Sequence, residues 1–349
     1  MIKLEELLLT LIEKEGSDLH LSVGIEPMIR IHGKLLKIKE KKLNSFDLEC
    51  YTKEILKEKL KEYYTLGEID ASYSLKDIGR FRVNIFKEKG VDAIAIRSVS
   101  LKIPTLDDFN YPKVLKELCN KKRGLVLITG ATGSGKSTTL AAMINEINKN
   151  KAMHIITLEE PIEFLHCHNK SIINQREIGV DSPSYKSALK SVLREDPDVI
   201  LIGELRDYEA IATAITAAET GHLVLSTLHT IGAAKTIDRI IDVFPANQQM
   251  QIRTQLSTIL EGVISQQLVP TIDGKMILAS EIMISNSAIR SLIREGKSYQ
   301  IESIIQTSGK YRMKTMDKSL LEMYKKNLIS KDTVLDYGID KEAIEKEIN

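Results

Sequence analysis

The sequence lacks the cysteine patterns of secreted and zinc-stabilised proteins and the excess of basic residues that is typical of nucleic-acid-binding proteins. It has three cysteines in 349 residues, no tryptophan and only 5% aromatic residues. The cysteines Cys50, Cys119 and Cys167 are odd in number and far apart, so they indicate neither a disulfide framework nor a four-cysteine zinc site. Lys and Arg number 49 against 48 Asp and Glu, and this net charge of +1 gives no reason to expect nucleic acid as a partner.

Long apolar runs are also missing. No run approaches the roughly 18 residues that a membrane-spanning helix requires. The N-terminus, MIKLEELLLTLIEKEG, mixes acids with leucines, unlike the basic and then apolar layout of a signal peptide. We therefore expect no transmembrane segment and a cytoplasmic protein. A length of 349 residues, 43% of them hydrophobic and 28% charged, suits about two globular domains.

The first hundred residues mix helical and strand patterns. DLHLSV and MIRIHGKLLKI alternate apolar and polar residues, and RFRVNIFKEKGVDAIAIRSV predicts two strands joined by a turn at Lys89 and Gly90. A small α+β domain is predicted over 1–99. The next stretch, 100–112, has two prolines and little periodicity, which indicates a hinge.

Beyond the hinge, over 113–349, short apolar strands alternate with helical segments. GLVLITG, MHIITL, DVILIG and HLVLST are apolar throughout, as in a parallel sheet that is covered on both faces. One helix is predicted to start with Ser182 as its N-cap and Pro183 at its first position, and another to run from Asp207 to Gly221. A charged helical region follows from about 286. The fold class is therefore α/β.

The stretch GATGSGKST matches the pattern G-x-x-x-x-G-K-[ST] between a predicted strand and a predicted helix. The glycines let backbone N–H groups surround phosphate oxygens, Lys136 supplies a cation, and the Ser137 hydroxyl can ligate Mg²⁺. The predicted nucleotide-binding residues are Gly130, Ala131, Thr132, Gly133, Ser134, Gly135, Lys136, Ser137 and Thr138. ATP and Mg²⁺ are the expected ligands.

Hydrolysis also needs carboxylates near the phosphates, and parallel sheets gather ligands at the carboxyl ends of their strands. ITLEEPIEF places Glu159, Glu160 and Glu163 around one proline, although clustered acids repel unless a cation lies among them. Glu204 follows another strand, either as a ligand of Mg²⁺ through water or as a strand-capping acid paired with Arg206. His229 follows the next strand and is either structural or a contact of the γ-phosphate.

The order of these motifs resembles the secretion ATPase superfamily and, within it, the PilT family of type IV pilus retraction ATPases. GSDLHLSVGIEPMIRIHGKL is similar to the N-terminal signature, ITLEEPIEF to the acidic box, DPDVILIGELRD to the Walker B motif and TGHLVLSTLHT to the histidine box. AIRSLIREGK resembles the element that distinguishes retraction motors from extension motors. The match covers nearly the whole chain.

The resemblance implies a RecA-like ATPase core with C-terminal helices and a smaller, PAS-like N-terminal domain. It implies a homohexamer that binds ATP between neighbouring subunits and acts at the cytoplasmic face of the inner membrane on a pilus platform protein. It also implies site roles. Glu163 is the catalytic glutamate, Glu204 the Walker B glutamate near Mg²⁺ and His229 the histidine at the γ-phosphate, while Arg82 and Arg97 reach phosphates. The element implied for retraction comprises Ala288, Ile289, Arg290, Leu292, Ile293, Arg294 and Glu295.

Two residues depart from the family pattern, and a pair of histidines near the acidic box suggests a zinc site. Glu160 stands where the acidic box has aspartate, and Ser291 stands where the retraction element has asparagine. His166 and His168 alternate as zinc ligands on a strand would, but no further ligands lie nearby in the sequence.

Three other functions compete with pilus retraction as the interpretation of this sequence. An assembly or type II secretion ATPase shares the core motifs, but many carry a four-cysteine zinc element that is missing here. A RecA-like DNA translocase gains no support from the near-zero net charge. A nucleotide-gated binding protein would bind ATP without hydrolysing it at a useful rate.

Overall fold

The computed structural model describes residues 2–31, 33–75, 78–99, 103–109 and 111–348. Their contacts divide the chain into two compact units. One comprises Met1–Lys102 with Glu163–Leu165, and the other comprises Ile103–Ile162 with His166–Asn349. Ser100, Leu101, Lys102 and Asn110 of the predicted hinge lie outside the described residues, so the hinge stays a prediction. No helix in the described part of the chain is long and apolar enough to span a membrane.

The first unit is an antiparallel six-stranded sheet with three helices. Its elements are α1 (Leu4–Glu13), β1 (Asp18–Leu21), β2 (Met28–Ile31), β3 (Lys34–Lys37), α2 (Ser45–Leu56), α3 (Leu60–Leu66), β4 (Glu68–Leu75), β5 (Gly79–Glu88) and β6 (Val91–Ser98). The strand order is β3-β2-β1-β6-β5-β4. Lys89 and Gly90 join β5 to β6 with positive φ angles of 52° and 84°, which confirms the predicted turn.

The core of the first unit follows from alternation along its strands. Phe81, Val83 and Ile85 on β5 are fully buried. The same cluster contains four leucines of α1: Leu4, Leu7, Leu8 and Leu11. The other face of β5 carries Arg80 and Arg82. The sequence did not predict β4, because EIDASYSL has only a partly buried pattern and pairs with β5 at the edge of the sheet.

The second unit carries a seven-stranded, mostly parallel sheet. Its elements before the last hairpin are α4 (Val114–Cys119), β7 (Gly124–Thr129), α5 (Lys136–Asn150), β8 (His154–Glu159), β9 (Ile172–Glu177), α6 (Tyr185–Val192), β10 (Val199–Ile202), α7 (Tyr208–Glu219), β11 (Leu223–Leu228), α8 (Ala233–Asp242) and α9 (Ala246–Ile259). The sheet order is β13-β12-β7-β11-β10-β8-β9, in which β12 is Leu260–Pro270 and β13 is Met276–Ile284. Only the β12–β13 pair is antiparallel.

Helices cover both faces of this sheet, as the apolar strands predict. Leu125 and Leu127 of β7 join one core cluster with α6 to α9, whereas Val126 and Ile128 join another with α4 and α5. The α/β fold class is confirmed.

The chain after β13 is helical. It forms α10 (Ser287–Glu295), α11 (Ile301–Thr307), α12 (Met316–Lys325), α13 (Lys331–Tyr337) and α14 (Lys341–Ile348). The last three helices share a core cluster with Val269 of β12 and Ala279 of β13.

One predicted helix start is wrong and one is confirmed. The N-cap of α6 is Ser184, whose hydroxyl accepts the N–H of Ser187 at 3.2 Å, so the helix begins after Ser182 and Pro183 rather than at them. Ser182 instead forms an isolated bridge with Ile178. Asp207 caps α7 as predicted, since its carboxylate accepts the N–H of Ala210 at 2.8 Å.

Candidate functional site

The phosphate loop connects the fully buried strand β7 to helix α5. Gly130, Gly133 and Gly135 have positive φ angles of 140°, 79° and 85°. A Cβ on Gly130 would lie 2.3 Å from the carbonyl oxygen of Gln266 and 2.6 Å from the Ser134 hydroxyl. Only glycine therefore fits at Gly130, where the loop folds closely against β12.

Lys136, the first residue of α5, is directed into this loop. Its ammonium donates hydrogen bonds to the carbonyls of Gly130 at 2.9 Å and Ala131 at 3.0 Å, and only 8% of the residue is exposed. His229 Nδ1 lies 3.5 Å from the same ammonium and 3.5 Å from the Thr132 hydroxyl. The predicted lysine and the predicted histidine thus meet at the loop.

Glu204 lies on the other side of the His229 ring. Its Oε1 is 3.3 Å from His229 Nε2, and its Oε2 accepts a hydrogen bond from Arg206 Nε at 2.8 Å. Arg206 also lies 3.6 Å from a carboxylate oxygen of Glu160. Lys136, His229, Glu204, Arg206 and Glu160 therefore form a connected row of mostly alternating charge.

Arg206 is the cation that this part of the acidic cluster requires. The hydrogen bond from Arg206 to Glu204 raises the pKa of the guanidinium, so the arginine stays charged. The sequence offered two readings of Glu204, as a magnesium residue and as the partner of Arg206. The structure shows the pairing of Glu204 with Arg206. This pairing does not prevent Glu204 from also binding Mg²⁺ through water, because the carboxylate remains partly exposed.

The three acids of ITLEEPIEF have different surroundings. Glu159 ends β8 and accepts hydrogen bonds from the Thr157 hydroxyl at 2.7 Å and from Gln175 Nε2 at 3.2 Å. Glu160 faces Arg206. Glu163 is exposed and belongs by its contacts to the first unit, whereas the other two acids belong to the second.

Tyr185, at the start of α6, is a site residue that sequence reasoning missed. Burial, reinforced by the negative charge of Glu160, strongly raises the pKa of its hydroxyl. The hydroxyl therefore stays neutral beside the acids and remains a hydrogen-bond donor. No motif contains Tyr185, and only the packing of α6 against the sheet brings it here.

An apolar cavity of about 280 Å³ adjoins the phosphate loop. It is lined by Phe109, Tyr111, Gly135, Thr138, Thr139, Leu268, Met276, Ile277 and Leu278. Phe109 and Tyr111 meet edge to face, with ring centroids 6.1 Å apart. Burial raises the pKa of Tyr111, although a hydrogen bond with Thr139 opposes the shift. Such a cavity beside a phosphate loop suits a planar base.

Gln266 links this cavity to the phosphate loop through hydrogen bonds. Its amide donates a hydrogen bond to the Thr139 hydroxyl at 2.8 Å, and that hydroxyl lies 3.0 Å from the carbonyl oxygen of Gly135. Gln266 is fully buried. Sequence reasoning missed this glutamine because β12 carries no phosphate-binding pattern.

Arg82 and Arg97 face one another across β5 and β6 in the first unit. Directly opposed cations destabilise a strand pair unless an anion balances them. Asp18 supplies one charge, since it accepts a hydrogen bond from Arg97 Nε at 2.8 Å. Burial opposes ionisation of Asp18, but hydrogen bonds from Ser17 and Arg97 prevail and lower the pKa of its carboxyl. Arg82 is exposed on the same sheet.

The predicted retraction element forms α10, with Asn286 as its N-cap. Ile289 and Ile293 are buried and Leu292 is half-buried, while Ala288, Arg294 and Glu295 are exposed. Arg290 donates to the carbonyl of Thr258 at 3.3 Å and lies 3.5 Å from Glu261. Ser291, which departs from the family pattern, donates to Glu295 at 3.2 Å. The exchange is thus accommodated on the helix surface.

The histidines of HCH do not gather further ligands. His168 Nδ1 accepts the N–H of Ile173 at 3.0 Å, and burial lowers the pKa of His166 to about 4. Within the described ranges, no group of three or more His, Cys, Asp or Glu residues is placed to hold a metal ion.

Comparison with known proteins places these features in a family. The model of type II/IV secretion system proteins matches residues 81–278. The type IV pilus retraction ATPase PilT of Pseudomonas aeruginosa is 46% identical over 327 residues, which cover 93% of this chain and 95% of that protein. A twitching motility protein of Neisseria gonorrhoeae is 47% identical over 306 residues, covering 87% of this chain and 82% of that protein.

A solved structure is similar over the same extent. The crystal structure of the pilus retraction motor PilT with bound ADP superposes with a TM-score of 0.92. The two chains are 44% identical, and the match covers 99% of this chain and all of the other.

We expect Gly130→Ala to abolish ADP binding, because the new methyl group would overlap the carbonyl oxygen of Gln266 and displace the loop. Gly274→Ala, in the turn between β12 and β13 and outside the phosphate loop, is the matched control. Its methyl group would meet nothing within 4 Å, so it adds only the strain of a positive φ angle, about 1–2 kcal/mol. Titration calorimetry should show no ADP binding by the first variant and near-normal binding by the second. Normal ADP binding by Gly130→Ala would show that the loop's close approach to β12 is not needed.

Proposed function

We propose that this chain, which belongs to the type II/IV secretion system protein family, is an ATP-hydrolysing motor that powers retraction of type IV pili. One observation carries the proposal. The likeness to retraction motors extends over both units and the C-terminal helices, and is not confined to the ATPase core. Type II secretion system protein E of Xanthomonas campestris, by contrast, matches only 57% of this chain.

The nucleotide binds along the edge of the seven-stranded sheet. Backbone N–H groups from Gly130 to Thr138 surround the phosphates, as in other loops of this pattern. The ammonium of Lys136, which contacts the loop carbonyls of Gly130 and Ala131, turns from them to the β- and γ-phosphates. The base enters the cavity between Phe109, Tyr111 and Leu268.

Ser137 and Glu204 would hold Mg²⁺. Both offer oxygen ligands, which this cation prefers, and Glu204 is oriented by Arg206 and His229. The ion would neutralise charge on the phosphates as the γ-phosphoryl group passes from ADP to water. Glu204 acts in part through water.

Glu163 is the proposed base that accepts a proton from the attacking water. Glu159 is a supporting acid, because its hydrogen bonds to Thr157 and Gln175 hold it at the end of β8. His229, between Lys136 and Glu204, is placed to contact the γ-phosphate. Arg82 and Arg97 are the proposed arginines that stabilise negative charge on bound phosphates.

Movement of the first unit through the hinge at 100–112 would convert hydrolysis into mechanical work. We infer that six copies form a ring in which ATP lies between neighbouring subunits. The ring works at the cytoplasmic face of the inner membrane on a pilus platform protein. The exposed residues of α10, Ala288, Arg294 and Glu295, would serve retraction rather than nucleotide binding.

Deletion of the gene in the source bacterium tests the direction of the motor. We expect abundant surface pili together with loss of surface motility, because assembly continues while retraction stops. Electron microscopy of surface pili and a surface-motility assay measure the two effects. Returning the wild-type gene should restore normal piliation and motility. Loss of pili would instead identify an assembly motor.

Substitution of the proposed base tests the hydrolytic mechanism. We expect Glu163→Gln to lower kcat for ATP about 10²- to 10⁴-fold while ATP affinity changes little, because a positioned base contributes about that much. Glu160→Gln is the control, since it keeps the side-chain length and removes a charge that pairs with Arg206 and acts on Tyr185, while the proposed base is unchanged. Phosphate release and ATP binding are measured for both variants. Near-normal turnover by Glu163→Gln would remove Glu163 from the catalytic role.

A further inference from the structure

A second cavity, of about 360 Å³, lies in the second unit beside the proposed nucleotide cavity. Its walls come from the segment 111–114, from β13 and from the segment 309–328, which includes α12. Tyr111 and Leu278 line both cavities and separate them. None of its lining residues belongs to the phosphate loop.

The side chains around this second cavity are strongly cationic. Five cations line it, Lys113, Arg312, Lys314, Lys318 and Lys326, against the single carboxylate of Glu322. Lys314 pairs with Glu322 at 3.2 Å, and Arg312 pairs with Glu117. In the described part of the chain, no carboxylate forms an ion pair with Lys113, Lys318 or Lys326.

This concentration of charge has no counterpart in the composition of the chain. The whole protein carries a net charge of only +1, so the cations are gathered here and are not part of a generally basic surface. Lys318 also lies in the first turn of α12, where the helix dipole disfavours a cation. A concave wall of one charge sign concentrates the counter-ion that it attracts.

The floor of the cavity is largely apolar, although the buried side chains of Ser280 and Ser319 also line it. Val114, Ile282, Met313 and Met323 line it and are almost fully buried, and the Tyr111 ring forms part of the wall. Cations around an apolar floor suit a ligand that carries both a phosphate and a flat, weakly polar group. The volume falls within the range of small-molecule sites and is too small for a folded partner.

We propose that this cavity is a second ligand site, which binds a phosphate-bearing small molecule of the nucleotide class. Lys113, Lys318 and Lys326 pair with its phosphate, and the apolar floor receives its base. The site is distinct from the phosphate loop, and its existence does not depend on the direction of the motor.

Titration calorimetry on the full-length protein tests the proposal. The phosphate loop is first saturated with Mg²⁺ and a non-hydrolysable ATP analogue, so that added AMP cannot bind there. AMP and inorganic phosphate are then titrated separately. We expect one AMP per chain, bound more tightly than phosphate because the base packs on the floor, with affinity that falls as ionic strength rises.

Charge reversal locates the site. Lys318→Glu and, independently, Lys326→Glu should each weaken AMP binding at least about tenfold, since each replaces a charged hydrogen bond with repulsion. Lys341→Glu makes the same charge change on exposed α14, outside the cavity lining, and should leave AMP binding unchanged. Uptake of one ATP analogue per chain shows that every variant is folded.

Three results would overturn the proposal. AMP fails to bind at low millimolar concentration, or it binds both cavity variants as tightly as it binds the wild-type protein. Alternatively, inorganic phosphate binds as tightly as AMP, which would leave an anion site without a place for a base. Failure of the retraction experiment would affect none of these readings.

Discussion

The parallel register of four buried strands determines which side chains meet in this protein. Thr129 of β7 pairs with Leu228 of β11, so Gly130 and His229 leave the sheet side by side. Ile202 of β10 pairs with Leu158 of β8, so Glu204 and Glu160 leave it close together two residues later. Because these strands are adjacent in the order β7-β11-β10-β8, residues separated by up to 93 positions form one row. The row lies at the carboxyl edge, where parallel sheets bind their ligands.

Within that row, each charged group is held by a neighbour of opposite or complementary character. The Lys136 ammonium is held by two loop carbonyls, and the Glu204 carboxylate lies between His229 and Arg206. A bound phosphate would compete for Lys136, which lies at one end of a chain of contacts that runs through His229 to Glu204. The geometry therefore connects the phosphate loop to the strands that carry the acids. Glu160 and Glu204 can lie close together because Arg206 contacts both.

The sequence predicted the parts of this site that have short, local patterns. The phosphate loop, Glu204, His229 and the apolar strands were all visible because each motif is contiguous. The roles of Tyr185, Gln266, Phe109 and Tyr111 were not, because their contribution depends on packing between distant segments. Local patterns also placed the start of α6 too early, because Ser182 followed by Pro183 satisfies the same cap preference as Ser184. The sequence also contained no sign that Glu163 belongs with the first unit, because it lies in the same turn as Glu159 and Glu160, which belong to the second.

The proposed binding mode requires Lys136 to exchange the loop carbonyls for bound phosphate. A crystal structure of the protein with Mg²⁺ and a non-hydrolysable ATP analogue measures this directly. We predict that Lys136 Nζ moves from the carbonyls of Gly130 and Ala131 to the β- and γ-phosphate oxygens, with Gly130 still packed against Gln266 and the base beside Tyr111. A structure in which Lys136 keeps both carbonyls while the nucleotide binds elsewhere would contradict it.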